Sequence, residues 1–405
     1  MTWSEIRLRR ILTSSGGSWG VDPADGDVKM QCVRAADFDY RRLQTDVSRA
    51  PVRGYTATDV RNRAARPGDM IIEKSGGGEL APVGRVVLHR QGAVVMPTNF
   101  AGRLRPLRGN DPRFLCYLLS SLYAEGRTSA AIKQTTGIQN LDLGALLDER
   151  VRVPDLGTQA TIASHLDAET ARIDDLIAKK QRLQTALRER YESVVRLELS
   201  YRDGIKLKYL LAAPLAYGVL VPSHDPVGVP MLRITDLRTG TVDLNSVNRI
   251  PKSLSAEFRR TILREGDIVV SVVGTLGRCV EVIPQLVGAN LNRALARVQL
   301  KQDVPRALIR IWFQSDDFQM QARLATSGDS AQPTLGLGDM KNFNVGIPRD
   351  SSRWAEITDR TLRRLAPIEA TESKLQEQER LLVEHRQALI TAAVRGELKI
   401  PGVVS

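Results

Sequence analysis

A chain of 405 residues with 42% apolar and 26% charged residues has the composition of a folded protein and is too long for one ordinary core. Lys and Arg total 58 against 46 Asp and Glu, a formal charge of +12 with a pI of about 9.8. That balance favours a polyanionic partner, through phosphate neutralisation and counterion release, with a basic but otherwise ordinary enzyme as the alternative. The three cysteines, Cys32, Cys116 and Cys279, are dispersed and form no CxxC pair, which argues against a zinc ribbon or a disulfide scaffold and suits a reducing cytoplasm.

The N-terminal stretch MTWSEIRLRRILTSSGGSWG has no apolar core of signal-peptide length, and no run of about 18 apolar residues follows. No basic amphipathic terminus suggests an anionic membrane surface. The expectation is a cytoplasmic protein without a membrane span. Short β-rich runs broken by Gly, Pro and Asp come next, among them DMIIEKSGGG. SGGGE, residues 75–79, has the wrong spacing for a dinucleotide fingerprint and reads as a hairpin or a loop for close approach to DNA. A helical piece, DPRFLCYLLSSLYAEG, leads to a Gly-bearing loop and a short apolar segment ending at Pro154.

A long helix follows. With Ile173 at heptad position a, the a and d residues are Ile173, Leu176, Lys180, Leu183, Leu187, Arg190, Val194 and Leu197. Lys180 and Arg190 depart from the pattern, but their stems can pack while the charges reach the edge. So polar a helix needs a partner for its stripe. The chain supplies one near its end, where Ile368, Leu375, Leu382 and Leu389 recur every seven residues. The alternative is that each helix simply covers its own globule.

The second half repeats the first. VRAADF (Val33 to Phe38) resembles LRITDL (Leu232 to Leu237), and RPGDMII (Arg66 to Ile72) resembles REGDIVV (Arg264 to Val270). NLDLGALLDERVRVP (Asn140 to Pro154) resembles TLGLGDMKNFNVGIP (Thr334 to Pro348), and the helix around Ile173 resembles that around Ile368. The matches are collinear, with offsets of 199, 198, 194 and 195 residues, so two copies of one unit are expected. Each copy is a mixed α+β globule followed by a helical arm. The expected domains are 1–153, a helical region 154–204, a second globule 205–347 and a second helical region 348–405. The two long helices would form an antiparallel coiled coil with pseudo-twofold symmetry. From Ile173 to about Tyr201 the first helix would measure ~42 Å, near the roughly 34–36 Å between half-sites on one face of B-DNA. Two related basic globules on such a spacer suit a DNA target of two short, unlike segments.

The chain resembles the DNA-specificity subunit of type I restriction-modification systems. TTGIQNLD (Thr135 to Asp142) leading into VRVP, then DAETARIDDLIAKKQRL and LLVEHRQALITAAVRGEL (Leu381 to Leu398), carry the resemblance, with TSGDSAQPTLGLGDMKNF (Thr326 to Phe343) as the second-copy counterpart. It covers essentially the whole chain, specifically in the helical regions and loosely in the globules. It implies two target-recognition domains reading the halves of a bipartite site, separated by helical spacers. It also implies partners: double-stranded DNA, two methylation subunits that use S-adenosylmethionine, and restriction subunits driven by ATP with Mg²⁺. The family often starts its spacer helix with a Pro-Leu-x-Glu-Gln-like run. Here PDLGTQATIASHL and PRDSSRWAEI depart from it, which puts the docking surface of the second copy in question.

No catalytic constellation is found. There is no GxxxxGK[ST] loop and no methyltransferase cofactor loop followed by an Asn/Asp-Pro-Pro-aromatic motif. His89, His165, His224 and His385 are scattered without metal-ligand spacing. Glu397 and Lys399, part of a nuclease-like GELK, read better as a tail beyond a helix stop at Gly396. No metal or cofactor is expected on this chain. Candidate DNA contacts are Lys74, Ser75, Arg103, Arg105, Lys133 and Gln139 in the first globule, and Thr275, Arg278, Asn292, Arg293 and Gln332 in the second. Gly76 to Gly78, Gly274 and Gly277 would let backbone approach phosphates. Thr136, Gly137, Ser327 and Gly328 would shape the turn into the Pro-ended segment. Lys179, Arg182, Arg188 and Glu189, on the outer helix face, would meet the methylation subunits. Competing readings are a fused methyltransferase or nuclease of the same defence class, and a coiled-coil scaffold that binds no DNA.

Overall fold

The computed structural model describes residues 3–78, 81–90, 92–135, 138–199, 201, 204–237, 242–244, 247–326 and 333–403. The chain is a mixed α/β protein with two long helices, Leu156–Glu198 of 43 residues and Trp354–Arg395 of 42. It divides into two compact units, residues 1–182 with 376–405, and residues 183–375. All three cysteines are buried and unpaired.

In the first unit a six-stranded sheet has the order Leu12–Gly16, Ala101–Pro106, Met70–Glu73, Val86–Leu88, Gln44–Thr45, Phe38–Asp39. A three-stranded sheet, Met96–Pro97, Val28–Val33, Val52–Tyr55, lies in the same unit, with Met96 parallel to Cys32. The run Met70-Ile71-Ile72 is apolar at every position because both sheet faces are covered. Met70 and Ile72 join the core containing helix Pro112–Ala124, while Ile71 joins Val33, Val87 and Val95 on the other face. That helix starts where Asp111 accepts the N–H groups of Arg113 and Phe114, with Pro112 at its first position.

The second unit repeats this plan. Its four-stranded sheet runs Ala216–Tyr217, Leu295–Val298, Ile268–Ser271, Cys279–Glu281, and its three-stranded sheet Arg249–Ile250, Val229–Leu232, Asn290–Leu291, with Met231 parallel to Asn290. Ile268 and Val270 face the core of helix Arg306–Phe313, and Val269 faces the other side. Trp312, Phe313 and Phe318 pack with ring centroids 5.0–5.3 Å apart.

The repeated motifs adopt the same local structures. Arg34 and Arg233 each donate a backbone N–H to the carboxylate three residues on, Asp37 and Asp236, at 2.8 Å in both cases. Arg66 does so to Asp69 at 2.8 Å and Arg264 to Asp267 at 2.7 Å. The entries to the long helices differ in residues but agree in chemistry. Gln159 Nε2 donates to the Pro154 carbonyl at 2.9 Å, and Trp354 Nε1 to the Pro348 carbonyl at 2.8 Å. An amide and an indole thus tie each helix to the strand-end proline, where the sequence shows only a departure from the family's run.

The buried stripe of the first long helix differs from the expected heptad. Ile173 and Val194 are buried and Leu187 is half-buried, but Leu176, Leu183 and Leu197 are 46%, 47% and 62% exposed. The inward positions lie one residue later, at Ile177, Gln184, Tyr191 and Glu198, so the spacing after each a residue is four, not three. Arg190 is exposed as well. Polar residues hold the inward positions because partners satisfy them. Glu198 accepts from Arg360 at 2.9 Å and Arg364 at 2.8 Å, and the Arg188 guanidinium lies 5.2 Å from the Tyr191 ring centre. On the second helix Ile368 and Leu375 are buried, and Leu382 and Leu389 half-buried. Within the first unit, Lys180 donates to Gln378 at 2.5 Å and Gln181 to Glu379 at 2.6 Å, while Asp174 lies 3.6 Å from Arg386. From Asp174 to Lys180 the partner falls from Arg386 to Gln378, so the two segments there run antiparallel. Within the second unit, Val194, Val195 and Leu199 share a core with Trp354, Ile357, Leu365 and Ile368.

Candidate nucleic-acid interface

Strand-end loops gather at one edge of the first unit. Gly17 N donates to the Ala101 carbonyl at 3.1 Å and Ser18 N to that of Pro97 at 2.8 Å, while Lys74 N and Ser75 N both reach the Phe100 carbonyl, at 2.8 and 3.0 Å. A Cβ on Gly17 would sit 2.1 Å from the Pro97 oxygen, so only glycine lets these loops touch. The side chains at this edge are Trp19, Phe100, Lys74 and Ser75, with Arg53 and Arg63 beside them. Arg63 donates to the Gly17 carbonyl at 3.0 Å, and Arg53 to that of Trp19 at 3.3 Å.

The second unit builds the corresponding edge from the same contacts. Val219 N donates to the Leu291 carbonyl at 2.6 Å, and Gly218 is the glycine that cannot accept a Cβ, which would lie 2.1 Å from the Leu291 oxygen. Gly17 and Gly218, Thr98 and Asn292, and Ala101 and Leu295 occupy equivalent places: Thr98 N donates to the Val33 carbonyl at 3.0 Å and Asn292 N to that of Leu232 at 2.9 Å, and Gly17 N and Gly218 N reach the carbonyls of Ala101 and Leu295 at 3.1 and 3.3 Å. Trp19, Asn99 and Phe100 then correspond to Leu220, Arg293 and Ala294; all are exposed except the half-buried Ala294.

The residues singled out from sequence divide sharply. Lys74 and Ser75 are half-buried at the edge just described, and Ser75 Oγ lies 2.5 Å from Asn140 Oδ1. Thr275, Arg278 and Arg293 are exposed, and Asn292 is half-buried with its Oδ1 accepting from Ala294 N at 3.1 Å. Lys133 is exposed but bonds Asp142 at 2.7 Å. That ammonium, followed by the Ala145 N–H, holds the Asp142 carboxyl below its ordinary value, so the charge of Lys133 is locally neutralised. Three candidates serve the fold instead. Arg103 is 7% exposed and donates to the Ala64 carbonyl at 2.9 Å. Arg105 grips both oxygens of Asp69, at 2.8 and 2.7 Å. Gln139 is buried and accepts from Val83 N at 3.2 Å. Arg297 is the counterpart in the second unit, bonded to Asp267 at 2.6 Å. An arginine in a β-rich run looks the same in sequence whether it faces DNA or the carboxylate at the start of the neighbouring strand. Gln332, Glu79, Thr136, Gly137, Ser327 and Gly328 lie outside the described residues.

Sequence reasoning missed Trp19 and Phe100. An aromatic next to glycines reads as core, and only the fold leaves it outside. It also passed over Arg7, Arg9, Arg10 and Arg150 beside the ladder pairing Ser4–Arg7 with Arg150–Val153. Arg7 and Arg9 share Asp148 at 3.3 and 2.6 Å, and Arg150 lies 3.7 Å from Glu5. His89 is fully buried, its ring nitrogens 2.9 Å from Thr45 Oγ1 and from the Ala93 carbonyl.

The first globule is fastened to its helix by carboxylates. Asp167 receives Arg90 at 2.7 Å, Tyr117 at 2.9 Å and Arg113 at 3.1 Å. Burial pushes the Asp167 carboxyl up, but the bonds and charge of Arg90, then of Tyr117 and Arg113, outweigh it and hold the group below its ordinary value. Burial instead prevails at Asp174 and raises it, against Arg386 and Arg41.

No family model matches the chain. In sequence it is similar to the type I restriction enzyme EcoBI specificity subunit of Escherichia coli, 28% identical over 292 residues, covering 64% of this chain and 61% of that one. The chain thus spans less than two thirds of that relative's length. It is also similar to the type I restriction enzyme EcoKI specificity subunit of Escherichia coli strain K12, 24% identical over 323 residues, covering 74% of this chain and 68% of that one. In fold it is similar to a solved chain from work on complex assembly and conformational transition of the type I R-M system, with a TM-score of 0.61, 16% identity and 98% of both chains covered. The resemblance read from the helical motifs therefore extends to curated specificity subunits in sequence, and over nearly the whole chain in fold.

Proposed function

We propose that the chain is the non-catalytic, sequence-specific DNA-binding subunit of a type I restriction-modification complex. Residues 1–153 and 205–347 are the two target-recognition domains, one per half of a bipartite site. Residues 154–204 and 348–405 are helical spacers in an antiparallel coiled coil that sets the gap between halves. Two methylation subunits and the restriction subunits bind the assembly and bring S-adenosylmethionine, ATP and Mg²⁺, none of which this chain is expected to hold. The complex acts in the cytoplasm against foreign DNA.

One observation carries the reading: the two units share strand order and motif geometry, yet present different side chains at equivalent loop tips. A duplicated frame with unlike tips is what a split, asymmetric target requires. Likeness to two specificity subunits and the net charge of +12 support it. Leu176, Leu183 and Leu197 support a protein partner on the helical region, since they expose large apolar side chains beside Lys179, Arg182, Arg188 and Glu189.

The spacer is tested by inserting one heptad into each long helix. At 1.5 Å per residue this adds ~10 Å, or roughly three base pairs of gap. Sequencing of methylated DNA from cells expressing the insertion variant should show the same half-sites with the wider gap. Modification at the original gap would refute the spacer role.

A further inference from the structure

The loop carrying Trp19 is held far more firmly than its exposure requires. The Trp19 carbonyl accepts from Arg53 Nε at 3.3 Å and Tyr55 Oη at 3.4 Å, and Val21 exchanges backbone bonds with Gly54 at 2.9 and 3.1 Å. Gly20, at φ +71°, could not take a Cβ, which would meet the Gly54 oxygen at 2.5 Å. Underneath, Tyr55 and Cys32 are buried in a small core of their own. On this pinned backbone the indole points outward, 42% exposed, with the Arg53 guanidinium 5.2 Å from its ring centre. Phe100 is 57% exposed on the neighbouring loop, its carbonyl fixed by Lys74 N and Ser75 N. Two aromatic rings are thus kept out of the core by rigid loops, with Arg53, Arg63 and Lys74 around them.

From this, and resting on the DNA-reading role proposed above, we infer that Trp19 and Phe100 form an aromatic wedge that stacks on base faces of the half-site read by the first unit. Aromatic side chains beside cations suit nucleic acid, because every base offers a π-face and the flanking phosphates take the charge. Apolar wedges of this kind enter where a base step is unstacked. Enzymes that act on a base within a duplex take it out of the stack, so a methylating complex has base faces to cover. A rigid platform loses little conformational freedom on contact. The second unit, with Leu220 and Ala294 at the equivalent places and Arg293 exposed beside them, has no such ring pair. The two half-sites are therefore contacted by different chemistry, by stacking in one and by Arg293 in the other.

The test uses the complex reconstituted with its methylation subunits and duplexes carrying its methylated motif. W19A and F100A should each weaken cognate binding about 10- to 100-fold, the range of base–aromatic stacking, and W19F should restore most of it. The slope of affinity against salt should stay unchanged, because no charge is removed, whereas R63A should reduce it by about one. 2-Aminopurine placed stepwise along the first half-site should change its fluorescence on binding the wild type, and not on binding the W19A/F100A double variant. Unaltered affinity and fluorescence in the double variant would overturn the wedge. So would weakened binding traced to failed assembly with the methylation subunits, which would make the patch a protein contact. Absence of sequence-specific binding by the wild-type complex is a different result, which fails the DNA-reading role itself.

Discussion

The buried arginine of the second unit gives the sharpest test of the division between frame residues and proposed reading residues. Arg297 and Asp267 have side chains 8% and 3% exposed and 2.6 Å apart. The guanidinium also donates to the Arg260 carbonyl at 3.0 Å, and Asp267 accepts the Arg264 N–H at 2.7 Å. Arg297→Met keeps most of the stem but leaves a buried carboxylate with one backbone donor. Removing one partner of a buried pair costs about 3–5 kcal/mol, mainly through the uncompensated charge that remains. With a urea dependence of about 1–3 kcal/mol/M, the midpoint of the second unit should fall by roughly 1–5 M. The buried Trp312 and Trp354 both lie in that unit, so their fluorescence follows its unfolding. Adding Asp267→Leu should recover part of the loss by removing the stranded charge, but not the part owed to the Arg264 N–H. In protein that stays folded, the salt slope of DNA affinity should match the wild type, because a side chain so buried cannot reach a phosphate. A midpoint within about 0.3 M of wild type, or a lowered salt slope at full stability, would return Arg297 to the surface and refute this reasoning.

Two further outcomes follow from the packing of the first long helix. Ile177→Ala should destabilise the first unit by about 2–5 kcal/mol, because Ile177 is 1% exposed, whereas Leu176→Ala at 46% should stay within about 0.5 kcal/mol, a contrast measured by urea unfolding. Equal losses would restore the three-residue heptad step. At Asp167 the pH dependence has a fixed sign. Its carboxyl is held below the ordinary 3.8, so its contribution is fully present above that value and lost as pH falls through the lower folded value. Thermal melts across pH 2–5 should therefore show an acid loss that shrinks in Asp167→Asn; an identical acid limb in the two proteins would discount the Arg90–Arg113–Tyr117 latch.

What the sequence reveals, and what it hides, have one physical origin. Short motifs fix local geometry wherever the interaction lies within the motif. In VRAADF and RPGDMII the carboxylate caps a backbone N–H three residues earlier, so their recurrence foretells a recurring topology, and Arg34–Asp37 and Arg233–Asp236 deliver it. The heptad is legible in period but not in face. Leu176, Leu183 and Leu197 outscore the residues one place later that turn inward, and a buried Glu198 is tolerable only because Arg360 and Arg364 come from elsewhere in the sequence to meet it. The grip of Arg105 on Asp69 escapes the sequence for the same reason, since the partner is 36 residues away and invisible to spacing. The repeat nonetheless supplies a sorting rule that neither half holds alone. Once strands fix the equivalences, residues that recur at matched places, Gly17 with Gly218 and Arg103 with Arg297, lie where a Cβ would force interlocked loops apart or where a guanidinium bonds within the frame. Residues that differ at matched, exposed places, Trp19 against Leu220 and Asn99 against Arg293, are under no such constraint from the frame. On the function proposed above, in which two halves of one shape read different bases, those differences are where specificity has room to reside.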